Sequence, residues 1–180
     1  IAIAESAGLI SQVTDWVIER AVRDAQHMSM QGVNVCIAIN LSAKDITNPY
    51  LLDKIDMLLQ KANLPTHALS FEITESDLVE DPEKAICYLK DYQKRGYEMA
   101  IDDFGTGYSS LAYLKSFPVN TLKIDKSFVI ELSHDQDDKD IVETIMQLAN
   151  KFNLNVVAEG VEDAQGLEIL SQVGCTWAQG

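Results

Sequence analysis

The chain has 180 residues, 47% of them hydrophobic and 23% charged, which is enough apolar material for one sizeable core and excludes a collagen-like, low-complexity or disordered polymer. Lys and Arg total 14 against 28 Asp and Glu, a formal net charge of -14, and no basic cluster breaks the excess, so a generic DNA or RNA duplex binder is excluded. A phosphorylated small ligand is not, because divalent cations held by carboxylates invert the local sign.

In chain order, Leu9, Val13, Trp16, Val17, Ile18 and Val22 recur at helical spacing and predict a helix from Gly8 to Met30. Val33 to Ile39 is a β-branched run ending at Asn40. A helix follows from about Pro49 to Ala62, with Asn48 as N-cap. Ala68 to Ile73 reads as the second strand, and Asp81-Pro82-Glu83 opens a helix that Gly96 ends. Tyr97 to Ile101 is the third strand, followed by Asp102-Asp103-Phe104-Gly105-Thr106-Gly107. A short helix is expected from about Ser109 to Lys115, then a fourth strand from Thr121 to Ile124. The acidic run Asp135 to Asp140 reads as a solvated loop before a helix to about Phe152. Leu154 to Ala158, a helix over about Ala164 to Val173, and a strand from Cys175 complete the order. Trp16 and Trp177 are expected in the core or at its rim.

This alternation predicts a parallel α/β sheet. With no linker rich in Gly, Ser or Pro, residues 1–180 read as one domain. Eight βα units need at least about 200 residues, so six strands suggest a TIM-like (β/α) barrel with about six of eight units, cropped at both ends. A doubly wound open sheet is the competing fold, although no GxGxxG follows the first strand. No apolar run approaches the roughly 20 residues of a membrane span, and the first residues do not resemble a secretory signal. Cys36, Cys87 and Cys175 are odd in number and far apart, which predicts reduced thiols in the cytoplasm and no zinc site.

The polar residues fall at the strand ends: Asn40, Glu72, Asp102 with Asp103, Lys123, Glu159 and Gln179. In a parallel barrel those ends share one face, where active sites are built. One acidic strand end reads as a helix cap or a solvated side chain; six successive polar ends make the case for a site. Carboxylates and an amide oxygen suit Mg²⁺ or Mn²⁺. Adjacent aspartates let one bridge two ions, and paired ions stabilise both oxygens of a phosphoryl displacement. A lysine there orients or deprotonates water, or neutralises a phosphate oxygen.

The stretches Ile39-Asn40-Leu41-Ser42, Phe71-Glu72-Ile73-Thr74-Glu75-Ser76, Asp102 through Leu111 (DDFGTGYSSL), Lys123-Ile124-Asp125-Lys126-Ser127-Phe128-Val129, Ala158-Glu159-Gly160-Val161-Glu162 and Gln179-Gly180 resemble the EAL domain, in order and over essentially the whole chain. The resemblance implies a modified TIM barrel that hydrolyses the bacterial second messenger cyclic di-GMP to linear 5′-pGpG with two Mg²⁺ or Mn²⁺ ions per site. By likeness, Asn40, Glu72 and Asp102 bind the first metal. Asp102 bridges to the second, which Asp103 also binds, and Glu159 holds the second directly or through water. Lys123 orients or activates the nucleophilic water, Gln179 positions that water or a neighbouring carboxylate, and Glu75 anchors the loop after Asp103. That loop, Phe104 to Leu111, is tied in the family to homodimer contacts and to metal-site assembly. The Glu-Ala-Leu signature, whose Glu is a further metal ligand, is expected before residue 1. Regulatory domains, and any membrane tether, are expected elsewhere in a longer parent. The alternative is an inactive EAL-type module that senses cyclic di-GMP without cutting it.

Overall fold

The computed structural model describes residue 4, residues 7–107 and residues 111–180. Residues 1–3, 5 and 6 lie outside it. So do Tyr108, Ser109 and Ser110, on which part of the expected dimer loop and the start of the expected short helix fall. The elements in order are α1 (Ile10–Met30), β1 (Ile37–Asn40), α2 (Ala43–Ile46), α3 (Pro49–Ala62), β2 (Leu69–Thr74), α4 (Glu75–Glu80), α5 (Pro82–Lys94) and β3 (Glu98–Phe104). They continue with α6 (Leu111–Leu114), β4 (Thr121–Ile124), α7 (Gln136–Phe152), β5 (Asn155–Glu159), α8 (Ala164–Gln172) and β6 (Trp177–Gln179). The strands are hydrogen-bonded in sequence order, β1-β2-β3-β4-β5-β6, as the expected barrel units require. Two compact units are distinguished: Ile1–Ile73 with Asp81–Met99, and Thr74–Glu80 with Ala100–Gly180.

In the first unit, α1 buries Ile10, Thr14, Ile18, Ala21, Val22 and Ala25, a single face at helical spacing. Asn48 caps α3 by accepting from the Tyr50 N–H, with Pro49 in the first turn, and α3 buries Leu51, Leu52, Ile55 and Leu59. Phe71, from the middle of β2, is fully buried and meets the rings of Tyr92 and Tyr97 edge-on, at centroid distances of 5.5 and 5.4 Å. The Tyr97 hydroxyl donates to Asp56 Oδ1 at 2.5 Å, and Asp56 also pairs with Arg95. β1 starts at Ile37, not Val33, and ends at Asn40 as expected.

In the second unit, β4 is the central strand. It pairs in parallel with β3 on one side and β5 on the other, Leu122 opposite Val156 and Ile124 opposite Ala158. Leu122, Lys123 and Ile124 are all buried, as a strand covered on both faces must be. The acidic run after His134 is not a loop. Asp135 caps α7 by accepting from the N–H groups of Asp137 and Asp138, and those two lie in its first turn. The physical reason is the positive end of the helix dipole, which favours carboxylates there. The six-residue helix α4 follows β2 directly, with the Thr74 hydroxyl accepting from the Asp77 N–H. Both tryptophans are exposed, Trp16 at 65% and Trp177 at 53%, contrary to expectation. Among the described residues the cysteines are free and no helix is long and apolar enough to cross a membrane.

Phe71→Ala should lower the unfolding free energy by about 3–5 kcal/mol through transfer and cavity terms, whereas Trp16→Ala should change it by no more than about 0.5 kcal/mol. Urea midpoints of both variants check the contrast; equal shifts would contradict the burial assigned to Phe71.

Candidate active site

Lys123 is the organising group of the second unit. Its side chain leaves an apolar strand and is only 6% exposed. An ammonium there is costly unless it is paired. The two neighbouring strands supply the partners: Nζ lies 3.0 Å from Asp102 Oδ1 on β3 and 2.7 Å from Glu159 Oε1 on β5. Parallel pairing puts both carboxylates at the same, C-terminal end of the strands.

Asp102 and Asp103 are adjacent, so a regular strand would point them to opposite faces. β3 is not regular here. Its register against β4 shifts between Ile101 and Phe104, and Asp103 takes a left-handed backbone, φ 54°. This bulge re-aims both side chains, and the Asp103 N–H donates to Asp102 Oδ1 at 3.1 Å. One oxygen each from Asp102, Asp103 and Glu159 then lies within 4.8 Å of the others. Burial pushes the Asp103 carboxyl above its ordinary range, and the charge of Asp102, then of Asp125, pushes it further. Burial also acts on Asp125, but its hydrogen bonds with Ser127 and with Asp103 outweigh it and leave that carboxyl below the usual range. The Asp103–Asp125 pair thus competes for a proton. Three hard oxygen donors in a half-buried, negatively charged cluster could hold a metal ion.

The loop leaving β3 is tied from beneath. Glu75, 2% exposed, accepts from the Gly105 N–H at 2.8 Å through Oε2. Gly105 has φ 102°, and a Cβ there would stand 2.9 Å from the Phe128 ring; one on Gly107 would stand 2.9 Å from Glu75 Oε1. Neither position has room for a side chain.

Of the residues expected at the site, the second unit brings Asp102, Asp103, Lys123 and Glu159 into one cluster. Gln179 is exposed and lies opposite Glu159 in the β5–β6 register. Glu75 stands behind the loop, not in the cluster. In the first unit Asn40 and Glu72 face one another across the β1–β2 register, and the Leu41 N–H donates to the Glu72 carbonyl at 2.8 Å. The pattern of polar strand ends does not single out Asp125, which follows Lys123 by two residues, just past the end of β4. Its available signal was the acidic residue just past an apolar strand already carrying a lysine.

A sequential parallel sheet with a lysine and carboxylates at its C-terminal strand ends places the protein among α/β domains of the TIM-barrel class, whose sites occupy that face. The EAL domain family matches residues 1–180, and the chain belongs to that family. It is 39% identical to the cyclic di-GMP phosphodiesterase NbdA of Pseudomonas aeruginosa, over all of this chain and 23% of that protein. It is 34% identical to the cyclic di-GMP phosphodiesterase PdeR of Escherichia coli K12, over all of this chain and 27% of that protein. The chain therefore spans roughly a quarter of these relatives' lengths. Among solved structures, the PaMucR phosphodiesterase in complex with c-di-GMP is similar with a TM-score of 0.92 at 41% identity, over 99% of this chain and 73% of that one.

Because the folded chain holds a proton at Asp103 more tightly than the unfolded chain does, its stability contribution is present at low pH. That contribution is lost as pH rises through the ordinary aspartate value of 3.8 and beyond. In metal-free buffer at pH 7, Asp103→Asn should therefore melt higher than the wild type, and the gap should close as pH falls below that value. Thermal melts across pH check this; a variant that melts lower at pH 7 would contradict the electrostatics described.

Proposed function

We propose that the protein hydrolyses cyclic di-GMP to linear 5′-pGpG in bacterial signalling, as a phosphodiesterase using two Mg²⁺ or Mn²⁺ ions. The single observation that carries this reading is Lys123, buried between Asp102 and Glu159 with Asp103 beside them. In this reading the metal ligands would be Asn40 and Glu72 of the first unit and Asp102, Asp103 and Glu159 of the second. The bound ions supply charge neutralisation at the phosphoryl oxygens and a more acidic water. Lys123 uses its N–H donors to orient the attacking water or to meet a phosphoryl oxygen. Water adds at phosphorus, the bond to the 3′ oxygen breaks, and the phosphate stays on the 5′ oxygen. Gln179, next to Glu159 in register, positions that water or the carboxylate. Glu75 acts indirectly by holding Gly105, and through it the turn that follows Asp103.

Both units belong to one EAL domain in this proposal, supported by the family match over 1–180 and by β3, which begins in one unit and continues in the other. Regulatory segments, and a homodimer formed through the loop after Asp103, are part of the same reading. The much greater length of the curated relatives supports the former. The free cysteines support a reducing, cytoplasmic setting.

The test is turnover by the full-length protein with cyclic di-GMP and Mg²⁺ or Mn²⁺, with a chelator control, following pGpG by chromatography. Metal-dependent product is expected, with kcat lowered about 10²- to 10⁴-fold in Lys123→Met. Tight binding without product would replace the phosphodiesterase with a cyclic di-GMP sensor.

A further inference from the structure

Among the described residues of the first unit Asp45 is the most deeply buried acid, at 1% exposure, and nothing in the chemistry above uses it. Its Oδ2 accepts three hydrogen bonds: from the Thr14 hydroxyl at 2.8 Å, the Ser42 hydroxyl at 2.7 Å and the Ser42 N–H at 3.2 Å. In return the Asp45 N–H donates to the Ser42 hydroxyl at 3.3 Å. The charge is felt further in: burial first, then Asp45, pushes the phenol of fully buried Tyr92 upward.

A capping box of this kind ordinarily sits on the surface and serves its helix. Here the helix is α2, four residues long, and capping one turn does not offset the cost of burying a carboxylate. The bond to Thr14, which comes from the second turn of α1, also lies outside any capping scheme. What the arrangement holds in place is Ser42, and Ser42 is two residues beyond Asn40. The intervening residue is held as well: the Leu41 N–H donates to the Glu72 carbonyl. The chain leaving β1 is thus pinned at two consecutive residues. One bond reaches the strand that carries Glu72, and the other reaches a buried acid braced by α1.

We infer that Asp45, braced by Thr14, is a positioning residue for Asn40: it fixes the path of the chain where β1 ends and so sets the place of the Asn40 carboxamide beside Glu72. The consequence for metal binding rests on the reading of Asn40 and Glu72 as ligands. The path of the chain does not. Asn40 ends a strand of four residues and is exposed, so its own surroundings supply little constraint. A carboxamide oxygen is also a weaker donor than a carboxylate, and its contribution depends on being held in place before an ion arrives.

The experiment uses the full-length protein and three variants. Asp45→Asn keeps the shape and removes the charge. Thr14→Val removes one donor from a different element and protects the test if Asp45→Asn folds poorly. Leu89→Ala creates a cavity in the same unit as a purely structural comparison. Two readouts are taken below the melting point of every variant: amide hydrogen exchange at Leu41 and Ser42 relative to Ile55 and Leu59 in α3, and Mn²⁺ affinity by titration. Asp45→Asn and Thr14→Val should speed exchange at Leu41 and Ser42 about tenfold relative to α3 and weaken Mn²⁺ binding by about 10- to 100-fold. Leu89→Ala should change neither relative quantity. Unchanged relative exchange in both the Asp45 and Thr14 variants overturns the inference, whereas faster exchange with unaltered Mn²⁺ affinity supports the fixed chain path and counts against Asn40 as a metal ligand. A wild type that binds no Mn²⁺ would instead count against the proposed metal site, while the exchange data would still decide whether Asp45 fixes the chain.

Discussion

A lysine ammonium in the middle of an apolar parallel sheet is the constraint on which the second unit depends. Lys123 is only 6% exposed, so the flanking strands must bring charge to it. Asp102 and Glu159 do so from β3 and β5, and only a parallel arrangement in sequence order puts both at the same strand end. Two carboxylates meet one ammonium, and Asp103 adds a third within a few ångströms. The cluster is therefore left with a negative excess. The strand register that pairs the lysine also gathers three carboxylates that could hold a metal ion.

The local geometry around that cluster departs from regular structure, and each departure has a visible support. Asp103 occupies a left-handed backbone region that costs energy for a residue other than glycine. It persists because the register shift in β3 leaves no regular alternative, and because Glu75 and Phe128 clamp Gly105 two residues later. In the first unit the corresponding device is gentler. Asn40 stays in an ordinary strand, and the chain beyond it is held by Asp45 and Thr14 from the interior.

Much of the element order was legible because it rests on local periodicity. The β4 limits, Thr121 to Ile124, follow from an apolar run bounded by polar residues, and Asn48-Pro49 marks the start of α3 as cap chemistry requires. The misses have a common cause. β3 was expected to stop at Ile101 because two aspartates do not look like strand, yet the bulge carries the strand to Phe104. The acidic run at 135–140 looked like solvated loop because charge alone does not reveal which N–H groups will point at it. Trp16 and Trp177 read as core or rim because aromatic side chains usually are, but more than half of each is exposed.

The amino-acid sequence by itself determined the parallel α/β order, the kinds of residue at each strand end and, through the strings around Asp102, Lys123 and Glu159, the family. These are properties of neighbours along the chain, readable from spacing and chemistry. Only the tertiary structure decided which charges meet. The pairing of Lys123 with both flanking carboxylates, the turning of Asp102 and Asp103 to one cluster, the inclusion of Asp125 and the bracing of Ser42 by Asp45 all depend on strand register and on a single irregular residue in β3. A shift of one residue in register would send those side chains to the opposite face.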